Sequence, residues 1–142
     1  MGLQPGIDYY SKNISNAQEY WISVVFYYID DSLLKKKYKD IKEKKYIKNK
    51  LYGHCYLVSE VLFHLFGGKD SGWMPRRLTF ELDSNKITHW WIENPECSII
   101  IDATSSQFDF KINYENGQYC SFLTKNPSKR CKIILDKIKN YK

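Results

Sequence analysis

Three residues of this chain have the types and the order that covalent chemistry asks for: Cys55, His89 and Asp102. A thiol is the most nucleophilic of the ordinary side chains, an imidazole can take and return its proton, and a carboxylate can hold the imidazole in one tautomer. Cysteine is also a small hydrophobe that packs well, so Cys55 alone would mean little. The histidine and the aspartate downstream, each on a strand-like run, give it chemical meaning. The other cysteines lack such company: Cys97 falls in a turn, Cys120 in an irregular stretch, and Cys131 on the apolar side of a C-terminal helix.

The elements that must position these groups are legible around them. Leu57, Val58, Val61, Leu62 and Leu65 recur at steps of three and four, which predicts a buried amphipathic helix from Gly53 to Phe66 closed by Gly67-Gly68. Gly53 marks a close backbone approach, and Cys55 falls in the first turn, where free amides and the positive end of the helix favour a thiolate. Runs at 76–82, 87–93 and 98–103, separated by Asp83-Ser84-Asn85-Lys86 and Asn94-Pro95-Glu96-Cys97, predict three antiparallel strands in sequence. Alternation puts Ile87, His89, Trp91 and Glu93 on one face, and Ile100 with Asp102 on one face of the next strand. If the His89 face looks toward the helix, imidazole and sulfur meet; one strand register brings Asp102 beside them.

Four further residues are candidates for support. Asn49 could join the Cys55 amide as an oxyanion donor, or be an ordinary loop asparagine. His54 adjoins the nucleophile and could tune it, whereas His64 reads as structural. Trp73, in the glycine-bearing loop after the helix, could wall the site or cap the core, and Trp91 shares the face of His89 as a possible pocket wall.

The rest reads as one α+β domain of 142 residues, with a helical, lysine-rich part over 1–50 and the chemistry-bearing core over 51–142. Residues 1–14 are turn-rich and cross the surface. Ser15-Asn16 opens a helix reaching Leu34, with Asn16 and Glu19 as a capping box and its aromatic residues in the core. Asn126-Pro127-Ser128 opens the last helix, with Pro127 at its first position. Net charge is +6, much of it in the run from Lys35 to Lys50, which could meet nucleic acid but has the ordinary composition of a solvated face. No C-x-x-C or H-E-x-x-H motif points to zinc, and no cofactor is called for. There is no bilayer-length apolar run, and the start Met1-Gly2-Leu3 has no leader character, so a cytoplasmic protein without membrane attachment is expected.

Gly53-His54-Cys55, Gly67-Gly68, His89-Trp90 and Asp102-Ala103-Thr104-Ser105-Ser106-Gln107-Phe108 together resemble the YunG-like bacterial proteins, a compact branch similar to papain-like and transglutaminase-like thiol enzymes. The likeness covers residues 53–108, with weak support at 122–130. It implies a papain-like core, Cys55 as nucleophile, His89 as base, Asp102 as its orienting partner, and Gln107 as an amide that supports the site or contacts substrate. The activity expected is a hydrolase or acyltransferase acting on a peptide, protein or small substrate through an amide, isopeptide or thioester bond. The alternative is an inactive binding protein on the same fold, holding an anionic ligand, nucleic acid or protein partner.

Overall fold

The computed structural model describes residues 9–140; the start read as lacking leader character, Met1 to Leu3, lies outside them. The described residues form β1 (Tyr10–Lys12), α1 (Asn16–Tyr28), α2 (Lys36–Lys44), α3 (Cys55–Leu65), β2 (Met74–Leu82), β3 (Asn85–Asn94), β4 (Ile99–Asp102), β5 (Gln118–Tyr119) and α4 (Lys129–Lys139), with short 3-10 turns between them. The expected α+β class holds. β2, β3 and β4 form the expected antiparallel meander, and the sheet order is β1-β4-β3-β2-β5 with every pair antiparallel. The edge strands β1 and β5 are additions; at three and two residues they are too short to show alternation.

The expected first helix stops early, at Tyr28 rather than Leu34. The Asp30 carboxylate accepts the Ser32 amide at 2.8 Å and starts a separate 3-10 turn over Asp31–Leu33. Aspartate and serine offer the backbone this local alternative to helix. The capping box is also one residue earlier: the Ser15 hydroxyl accepts from the Gln18 amide and the Gln18 side chain accepts from the Ser15 amide. In α4 the cap is Ser128, so Pro127 precedes the helix rather than opening it.

α3 packs on one face of the sheet, and α1 and α4 pack on α3 and on each other, around Ile22, Phe26, Leu57, Val61, Ile92, Ile101 and Ile134. The other face carries His89, Trp91 and Glu93. It is covered by the irregular arm over 105–117, where Phe108 meets the His89 ring (centroids 4.9 Å) and Tyr114 meets Trp91 (5.1 Å). Gly117 lies so close that a Cβ there would be 2.5 Å from the Trp91 ring. Two faces and two coverings leave His89 and Asp102 wholly buried.

Candidate active site

Cys55 is the first residue of α3, half-buried, with no side chain capping the helix start. Gly53 makes the approach possible: its φ is +82°, and a Cβ would come within 2.8 Å of Leu34 Cδ1 and 2.9 Å of Tyr38 Cβ. Along α3 the side chains of Cys55 and Ser59 reach the Thr88 and Trp90 carbonyl oxygens of β3, at 3.8 Å and 3.2 Å. Four helical residues rise about 6 Å and two strand residues about 6.6 Å, so the two contacts fall into step and hold the helix parallel to the strand.

The sulfur therefore reaches the strand of His89 by a route other than the expected one. Tyr56 on α3 packs against the Trp90 ring (4.7 Å), so the body of the helix lies on the face opposite His89. Pairing of β4 with β3 spans only Ile92, Glu93 and Asn94, however, which leaves the β3 edge open at Thr88, and the head of α3 occupies it. The same register, continued by one residue, sets Asp102 opposite Trp91 and diagonal to His89. His89 Nε2 and Asp102 Oδ2 are 2.8 Å apart. His89 Nδ1 has no hydrogen-bond partner of full geometry and is the nitrogen left for the thiol. Burial opposes charge on His89, but the Asp102 carboxylate outweighs it, with hydrogen bonding and charge from Cys55 adding, and the histidine is held well above its ordinary value.

Tyr114 also donates from its hydroxyl to the same Asp102 oxygen at 2.8 Å, and it stacks on Tyr10 of β1 (4.4 Å). Burial, then the Asp102 charge, pushes its phenol far up, so it stays a donor. No local pattern marks it: Tyr-Glu-Asn-Gly reads as a turn, and the contact is made only by folding.

Several expected supports do something else. Asn49 is not an oxyanion donor, because its Nδ2 donates to the Ser106 carbonyl (2.9 Å) while its Oδ1 accepts the Leu51 amide (2.8 Å). His54 is wholly buried, with Nε2 3.1 Å from Asp31 Oδ1, and burial lowers its pKa, so it anchors the helix start as a mainly neutral group rather than lending Cys55 a positive charge. Trp73 sits in the core against Phe66 (5.5 Å), beyond the far end of α3 from Cys55. Trp91 is wholly buried behind His89 and donates from Nε1 to Glu93, so it backs the imidazole rather than lining a pocket. Gln107 accepts the Gly53 amide on Oε1 (3.3 Å) and donates from Nε2 to Thr104 (3.1 Å), tying the turn before Cys55 to the segment after Asp102.

No family model, curated protein or solved structure matches this chain. The functional reading rests on the site itself. A small cleft of about 20 Å³ opens beside Cys55, lined mainly by apolar surface of Tyr38, Tyr52, Leu82, Ile87 and Phe108. Burial, then the nearby Cys55 charge, raises both phenols. Among the described residues no cluster of three or more His, Cys, Asp or Glu could hold a metal ion, and no helix is long and apolar enough to cross a membrane.

Proposed function

We propose that this chain is a cysteine-dependent hydrolase or acyltransferase acting on an amide, isopeptide or thioester bond, on a papain-like variant of the α+β fold akin to the YunG-like proteins. The observation that carries the reading is the buried His89–Asp102 pair, with its free imidazole nitrogen left for a half-buried thiol at an uncapped helix head. Structural ion pairs are common. A cysteine facing one from a solvent-reaching cleft is the arrangement that thiol catalysis needs.

In this mechanism the Cys55 sulfur attacks the carbonyl carbon, and the developing oxyanion meets the amides of the first α3 turn. His89, protonated through neutral pH, passes its proton from Nδ1 to the departing amine or thiol as the carbonyl–leaving-group bond breaks. Water or an amine then attacks the acyl-enzyme and gives its proton to His89. The bond to sulfur breaks and the starting pair returns. Asp102 stays ionised and holds the ring.

Alkylation with limiting iodoacetamide at pH 7 tests the reading, because exposure and chemistry rank the thiols differently. Cys97 is exposed and Cys55 only half-buried. Peptide mapping should find Cys55 labelled first, and His89→Ala should bring its rate to that of Cys97 or below. Cys97 labelled ahead of Cys55 in the native protein would sink the proposal.

A further inference from the structure

We infer that the cleft beside Cys55 is the acyl-side pocket of the reaction proposed above, on which this inference rests, and that it selects a short, uncharged acyl group. Three observations carry this. The cleft reaches the sulfur, its surface is almost wholly apolar, and its volume of about 20 Å³ leaves room for about one water-sized group. A narrow slot at the sulfur suits the portion of substrate that stays bonded there, since the departing group needs an open way out.

The walls come from separate parts of the chain. Tyr38 is on α2, Tyr52 precedes α3, Leu82 and Ile87 flank the β2–β3 turn, and Phe108 follows the Asp102 strand. Phe108 also packs on His89 and on Phe80, so the slot and the imidazole share one wall. A longer chain must displace these side chains. A carboxylate on the acyl chain would exchange its water for a surface that is almost wholly apolar.

The chemistry is an acyl transfer from a thioester. Cys55 sulfur bonds to the carbonyl carbon, the bond from that carbon to the donor's sulfur breaks, and the donor leaves as a thiol carrying the proton from His89. Water later takes the acyl group off as a carboxylic acid and restores the His89 proton.

The test uses acetyl, butanoyl, octanoyl and succinyl thioesters of N-acetylcysteamine with the intact protein, following acylation of Cys55 by mass and thiol release by colour. Acetyl transfer should exceed octanoyl by about tenfold or more, with succinyl slowest. Leu82→Ala, which widens the slot, should narrow the acetyl-to-butanoyl gap, with the native circular dichroism spectrum and denaturation midpoint reporting that the fold is kept. Octanoyl or succinyl transfer as fast as acetyl overturns the pocket assignment but leaves the thiol-enzyme reading standing. No acylation of Cys55 by any donor overturns both.

Discussion

His89 carries two opposed influences, and their balance decides what Cys55 can do. Burial alone would make the imidazole neutral; the Asp102 carboxylate 2.8 Å away reverses that. Asp102→Asn removes the charge and keeps the shape, so burial then prevails. Ring-nitrogen NMR should show His89 protonated at pH 7 in the native protein and neutral in the variant, with Cys55 alkylation slowed on the order of a hundredfold. The same pair links protons to stability. A histidine raised in the folded state adds stability that is fully present below its unfolded value, about 6.5, and is lost as pH rises through the folded one. The denaturation midpoint should therefore fall as pH is raised from about 6.5, and Asp102→Asn should flatten that slope. The candidate groups Cys55, His89 and Asp102 were legible in the sequence because their types and chain order point to one chemistry. The groups around them were not: what Asn49, His54 and Trp91 do depends on Ser106, Asp31 and Glu93, and most of those partners lie far off in the chain.

At the scale of elements, α3 is held at its head and at its middle by contacts that periodicity does not disclose. Near its head, Gly53 has no room for a side chain. Gly53→Ala would set a Cβ against Leu34 and Tyr38 at a left-handed backbone position, costing about 1–3 kcal/mol in denaturant titration and slowing Cys55 alkylation with it. Along its length, wholly buried Glu60 accepts both the Ser128 amide and hydroxyl at 2.7 Å, fastening the start of α4 to the middle of α3. Glu60→Ala should cost about 3 kcal/mol while leaving native-state alkylation of Cys55 unchanged, because the contact lies more than a helical turn from the sulfur. The apolar stripe of α3 was readable from spacing alone. The carboxylate within it was not, since a glutamate on a helix ordinarily faces water and its partner here is 68 residues away. Likewise α1 ends where Asp30 and Ser32 bond locally, a competition that hydrophobic periodicity does not register.

Over the whole molecule, the question is whether the net charge of +6 bears on the chemistry. Much of it is on the lysine-rich stretch, yet part of that stretch is already engaged: Lys36 pairs with Asp40, Lys42 with Asp31 and Lys45 with Asp83, while Lys50 donates to the Phe26 carbonyl. Lys36 and Asp40 are largely exposed, so that pair is screened and adds little. The His89–Asp102 pair has no exposed surface at all. Salt screens exposed charges beyond about 8 Å at physiological strength and buried ones far less. Acylation of Cys55 by a neutral thioester should therefore keep its rate from about 0.05 to 0.5 M salt, whereas any capture of an anionic partner by the lysine face should weaken steeply over the same range. Measuring both in one titration separates the proposed chemistry at Cys55 from a surface attraction. If the acylation rate fell in parallel with anion binding, the lysine face would belong to substrate recognition and the active centre would extend beyond the cleft at Cys55.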